Sequence, residues 1–196
     1  MASITGVVLC GGAGRRFQGR DKPLLKLQSR ALVAHVLHRL APQVDQLVIS
    51  ANRNLPAYRR FGHPVIEDAV EDQGPLAGIL AAGQATTSDF LCVCPGDAPF
   101  LPEDLVERLA AGLAADVAVA VAHDGQRAQP LFLLLRRSSV SSVGDYLQTG
   151  ERSVRGWLES LPSASCLVDN PLAFTNVNSP EALAQLEVGN WHAADG

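Results

Sequence analysis

Apolar residues recur along this chain in two alternating rhythms, short uninterrupted runs and stretches with helical spacing, which predicts an α/β fold with a mainly parallel sheet. Residues 4–10 (ITGVVLC) are almost continuously apolar, as in a strand covered by helices on both faces. A glycine-rich segment follows, and then positions 32, 33, 36, 37 and 40 form the apolar stripe of a helix over 31–40. Residues 46–51 predict a second strand and 65–66 a third. Pro75 suits a first helical turn, so a helix is expected over 75–85. Residues 90–94 read as another buried strand, stopped by Pro95, with a helix over 103–113 after it.

Beyond Asp116 the pattern changes. Residues 117–122 and 131–135 predict strands joined through a turn at Asp124-Gly125, as either a hairpin or a crossover excursion. Helices are expected over 139–148, 152–160 and 180–187; Asn170-Pro171 marks a loop before Phe174, and 189–196 a frayed tail. With no repeat and no linker, a single domain is expected over 1–196.

Composition narrows what such a fold can do. The 196 residues carry 16 Lys+Arg against 20 Asp+Glu, a net charge of −4, which argues against a basic nucleic-acid surface. A content of 47% hydrophobic and 18% charged residues supplies a real core. The longest apolar stretches, 76–83 and 117–122, fall short of the ~20 residues that span a bilayer. No basic cluster precedes the first apolar run. A soluble, cytoplasmic protein is expected. Cys10, Cys92, Cys94 and Cys166 form no C-x-x-C pair; all four are expected to be reduced and buried, with Cys92 and Cys94 on one face of a strand.

The chemistry concentrates in two places. Residues 9–22 (LCGGAGRRFQGRDK) follow the first strand with glycines whose N–H groups can converge on an anion, three arginines suited to phosphate oxygens and a lysine as a point charge. Gly14 to Gly19 has P-loop spacing, but Arg20-Asp21 stands where Lys and Ser/Thr are needed, and Phe17 interrupts any dinucleotide fingerprint. A structural loop with solvated arginines is the alternative. The second place is Cys94-Pro95-Gly96-Asp97-Ala98-Pro99, which sets a carboxylate just past a buried strand, where open α/β sheets bind ligands. Asp97 there could hold Mg²⁺, which needs only one or two carboxylates, or could cap the helix after Pro102.

With these residues in view the chain resembles the molybdenum cofactor guanylyltransferases, over nearly its whole length. The resemblance rests on residues 9–24, ISANRN at 49–54, VIED at 65–68, GPLAG at 74–78, CPGDAP at 94–99, HDGQR at 123–127, TGER at 149–152 and FTNVNSPE at 174–181. It implies a Rossmann-like three-layer nucleotidyltransferase fold. It also implies transfer of GMP from GTP to the terminal phosphate of molybdenum-molybdopterin, with Mg²⁺ as cofactor and release of pyrophosphate. By position, Leu9, Cys10 and Gly11 resemble the backbone grip on the nucleotide, Lys22 a phosphate ligand, Ser50, Asp68 and Gly78 the base or ribose surroundings, and Asp97 the metal ligand. Arg16, Gly19, Arg152, Asn176 and Asn178 match positions around the reacting phosphates and the pterin, so Arg16, Lys22 and Asp97 are the catalytic candidates. The family's setting further implies cofactor-biosynthesis proteins or acceptor molybdoenzymes as partners. Cys10 replaces a common Ala, Gly96 a common Cys, Ser50 an Asn of some members and Pro23 a frequent Gly.

The residues also bear on mechanism. A phosphate monoester is already anionic near neutral pH, so no protein nucleophile is needed. His35, His38 and His192 lack metal spacing, and His123 is expected in a turn with Asp124-Gly125. Two rivals share parts of the pattern: a cytidylyl- or sugar-phosphate nucleotidyltransferase, and a non-catalytic carrier of the finished cofactor, which would not need Lys22 or Asp97.

Overall fold

A computed structural model of the chain describes residues 2–11, 21–68, 74–170, 172–175, 177 and 180–188. In chain order the elements are β1 (Ile4–Leu9), the two-residue strands β2 (Lys26–Leu27) and β3 (Arg30–Ala31), α1 (Leu32–Leu40), β4 (Gln46–Ser50), α2 (Leu55–Arg59), β5 (Val65–Ile66), α3 (Pro75–Ala85) and β6 (Phe90–Pro95). There follow α4 (Leu105–Ala111), β7 (Val119–His123), β8 (Ala128–Arg136), α5 (Val140–Gln148), α6 (Val154–Glu159), β9 (Ser163–Leu167) and α7 (Pro180–Val188). A seven-stranded sheet has the order β5-β4-β1-β6-β8-β7-β9. Its strands are parallel except β8, which runs antiparallel to both β6 and β7.

The uninterrupted apolar runs have a simple cause. Successive side chains of a strand point to opposite faces, and here both faces are covered. Leu9, Val7, Leu91, Val93, Leu133 and Leu135 pack with α3, α5 and α6 on one face. Val8, Cys10, Cys92, Cys94 and Leu134 pack with α1 and α4 on the other. Cys92 and Cys94 thus share a face, and all four cysteines are free and buried. Burial pushes the Cys92 thiol up to about 12 and holds those of Cys10 and Cys94 well above the usual thiol range, which keeps all three protonated. A smaller core joins distant segments, with Leu27, Leu32, Phe100 and Val177 buried together and Leu183 and Leu186 of α7 against them.

Connectivity decides where a ligand can sit. From β1 the chain passes through α1 to β4 and β5 on one flank, then returns by α3 to β6 on the other flank of β1. Strand order reverses at β1, so a crevice opens beyond its carboxyl end. There Cys10 N–H donates to Ser50 O at 2.8 Å and Gly96 N–H to Leu9 O at 2.9 Å, extending both ladders past the strands.

Several expectations change. The strand at 90–94 runs on through Pro95, which pairs with Leu9 at the strand's end. Of the two connections considered at Asp124-Gly125, the chain adopts the hairpin. Strand β8 starts at Ala128, ahead of the predicted 131, because an irregularity between Val121 and Ala122 lets Pro130 ride in the strand. The β2–β3 hairpin, α2 and β9 were not predicted; they are too short or too polar to show a period.

Candidate active site

The crevice brings together segments far apart in sequence. Lys22 opens a short 3₁₀ turn, Lys22–Leu24, whose Pro23 is buried. Its ammonium forms an ion pair with the Asp97 carboxylate in the turn after β6, and both side chains are only partly exposed, 20% and 16%. Gly96 makes this meeting possible. A Cβ there would lie 2.6 Å from Cys10 Sγ and 3.3 Å from both Leu9 O and Pro23 Cβ, so only glycine lets the turn settle onto β1 and the Lys22 segment. The helix-cap alternative for Asp97 fails, because α4 begins at Leu105 with Asp104 at its N-cap position. The Asp97 carbonyl accepts a bond from Val177 N–H at 3.3 Å, which ties the C-terminal segment to the crevice.

A second cluster lies at the ends of β4 and β5. Asp68 accepts from Ser50 Oγ at 3.3 Å and from Asn52 Nδ2 at 3.0 Å, while its own N–H donates to Asn52 Oδ1 at 2.8 Å. Gly78 presses α3 against this group: a Cβ on it would collide with Ser50 Oγ and come within 3.0 Å of Leu9 Cδ2. Leu9, Cys10, Ser50, Asp68 and Gly78 are therefore neighbours, and Gly11 follows directly from Cys10.

Beneath the Lys22 turn sits a third group. Asp21 is 7% exposed, accepts from Asn54 Nδ2 at 2.9 Å and has Arg53 Nε 3.9 Å away. The Tyr58 hydroxyl is buried against Cys10 and Asp21 without a well-formed hydrogen bond, and burial first, then the nearby Asp21 carboxylate, pushes its pKa far up. Asn52, Arg53, Asn54, Tyr58 and the anchoring role of Asp21 were missed in the sequence. A signal existed: Asn-Arg-Asn follows at once on a strand apolar on both faces, at the edge where ligands bind.

Arg152 stands apart from these clusters, since its Nη1 donates to Leu147 O at 2.9 Å and Glu151 O at 2.7 Å, closing the end of α5. His123 Nδ1 accepts from Gly125 N–H at 2.9 Å, in the turn expected for it. Asp124 Oδ1 accepts the Gln126 and Arg127 N–H groups, each at 2.8 Å; these bonds, Arg127's first, hold its carboxyl below the usual range. Arg16, Gly19, Asn176 and Asn178 lie outside the described residues.

Residues 6–165 match the model of the MobA-like NTP transferase domain. The molybdenum cofactor guanylyltransferase of Shewanella loihica is 43% identical over 194 residues, 96% of this chain and 98% of that protein. The chain belongs to the molybdenum cofactor guanylyltransferase family. A second member, from another Shewanella strain, is 42% identical over 93% of this chain and 94% of its own length. The molybdopterin-guanine dinucleotide biosynthesis protein A of Archaeoglobus fulgidus superposes with a TM-score of 0.79 at 25% identity, over 93% of this chain and 96% of that one. The family fold is the three-layer arrangement described above, and its members are nucleotidyltransferases.

The donor set can be tested against the metal such enzymes use. Among the described residues no three His, Cys, Asp or Glu side chains converge. A lone carboxylate beside a lysine cannot encage a metal by itself. It fits Mg²⁺, which fills most of its shell with water and phosphate oxygens. No described helix is long and apolar enough to cross a membrane.

Proposed function

We propose that this chain transfers the GMP unit of GTP to the terminal phosphate of molybdenum-molybdopterin, forming the guanine dinucleotide cofactor and releasing pyrophosphate. The observation that carries this reading is the Lys22–Asp97 pair, a cation and a carboxylate set side by side where strand order reverses. A terminal phosphate oxygen of the pterin attacks the α-phosphorus of GTP, and the bond from that phosphorus to the β-bridging oxygen breaks. The nucleophile arrives already anionic, so the barrier is the approach of two polyanions, lowered by orientation and charge neutralisation. Lys22 and Arg16 neutralise phosphate oxygens, with the N–H groups about Cys10 and Gly11 as a backbone grip. Mg²⁺ held by Asp97 would polarise the α-phosphate. Ser50, Asp68 and Gly78 flank the nucleoside; Gly19, Arg152, Asn176 and Asn178 serve the acceptor. One domain carries both sides, acting in the cytoplasm, with the product passed to acceptor molybdoenzymes.

Incubation with molybdopterin, Mg²⁺ and each of the four nucleoside triphosphates in turn tests the reading. Pyrophosphate release is expected with GTP. Comparable turnover with CTP, or none with GTP, refutes the guanylyl assignment; cofactor binding without pyrophosphate release favours the carrier.

A further inference from the structure

Asn52 holds Asp68 in an unusual way. Its side-chain amide donates to one carboxylate oxygen at 3.0 Å and accepts the N–H of the same residue at 2.8 Å, so a single side chain fixes both the backbone and the head group of Asp68. The other carboxylate oxygen takes the Ser50 hydroxyl at 3.3 Å, and Ser50 is itself buried against α3 through Gly78. A carboxylate has about four acceptor positions. Among the described residues two are filled, one on each oxygen, and Asp68 remains partly exposed. The remaining pair is set to receive two adjacent donors from a ligand. Without Asn52 the Asp68 side chain would keep, among the described residues, one weak tether, and could rotate about its terminal torsion.

We infer that Asn52 is a positioning residue for nucleotide selection, aiming the Asp68 carboxylate at a two-donor edge of the nucleoside. This rests on the proposed placement of Asp68 beside the nucleotide. Two parts of GTP present such an edge, the N1–H and 2-amino groups of guanine and the paired hydroxyls of ribose. The chemistry required of Asp68 is the same for either.

The test measures binding of GTP, ITP, which lacks the 2-amino group, and 2′-deoxyGTP, by calorimetry with Mg²⁺, alongside melting temperature. Wild type is expected to disfavour one of the two analogues, which identifies the edge being read. Asp68→Ala should weaken GTP binding about ten- to a hundredfold and abolish the preference over that analogue. Asn52→Ala should abolish the same preference with a smaller loss of GTP affinity, about five- to tenfold, and an unchanged melting temperature. The double variant should bind no worse than Asp68→Ala. Asn52→Ser is neutral and too short to make both bonds, so where Asn52→Ala does not fold it serves in its place and should show the same loss of preference. Intact selectivity in these Asn52 variants, or equal weakening of GTP and analogue with a lowered melting temperature, overturns the positioning role while leaving Asp68 in place. Unchanged GTP binding in Asp68→Ala removes Asp68 from the nucleotide site, and the inference falls with it.

Discussion

On one side of β6 the sheet continues through β1, β4 and β5, all parallel to it, whereas on the other side it continues through β8, which is reversed. In the parallel half each strand end delivers a residue to the same edge: Cys10 after β1, Ser50 at the end of β4, Asp68 just past β5 and Asp97 just past β6. In the other half β8 ends at Arg136 on the far edge, and the β7–β8 hairpin occupies the near one with its polar groups turned inward on Asp124. Parallel order gathers functional groups at strand ends. A reversed strand leaves that task to loops between helices, which is where Arg152 is found. Under the proposed reaction the first half handles the triphosphate and the second, with Gly19 from the first, the pterin acceptor.

The largest effect should come from breaking the parallel half at its charge. Asp97→Asn keeps the shape and removes the proposed metal ligand, so pyrophosphate release should fall by about a hundredfold or more while melting temperature holds. Near-normal release would remove the functional basis of the contrast. The contrast sharpens with a paired measurement. Lys22→Ala should weaken GTP binding by about 1.5–3 kcal/mol in calorimetry, whereas Arg152→Ala should leave GTP binding unchanged and raise the KM for molybdopterin; equal effects on GTP would erase the division of labour.

A packing test follows in size. Gly96→Ala drives a methyl against Cys10 Sγ, and overpacking of this kind destabilises by about 1–3 kcal/mol. Denaturant melts should show that loss, partly restored by adding Cys10→Ala; an equal loss in both would place the strain on the Leu9 carbonyl or Pro23 instead. The smallest effect is one of pH. His35 Nε2–H donates to Leu27 O at 3.1 Å, and burial holds its pKa below 6.5. Neutral His35 therefore contributes fully above that value, and the contribution is lost as pH falls through the lower folded pKa. Melting curves of the wild type should decline from pH 6.5 downward more steeply than those of His35→Gln.

The same contrast explains what the sequence could disclose. β1, β4 and β6 were legible because strands covered on both faces must be apolar throughout, and α3 because Pro75 marks its first turn. The Lys22–Asp97 meeting was foreseeable, since both follow buried strands that a doubly wound order sets side by side. β9 was not: Ser163–Leu167 is an edge strand and needs no apolar run. The β2–β3 turn escaped notice because Gln28 and Ser29 take positive φ of 50° and 66° without glycine or asparagine to signal it. Asp21 reads as one more surface acid until Asn54 and Arg53 are seen to come up against it, a fact of tertiary packing alone.

The small core of Leu27, Leu32, Phe100 and Val177 sets a timetable for the growing polypeptide. Its first three members leave the ribosome long before the fourth, and the Asp97 carbonyl waits for the same late segment to supply the Val177 N–H. Contacts between residues so distant along the chain form late, because the loop between them must first be closed. Until residue 177 emerges, a nascent chain with its central sheet already assembled shows an apolar patch beside the crevice, a handle for chaperones and a mark by which a prematurely terminated product differs from a finished one.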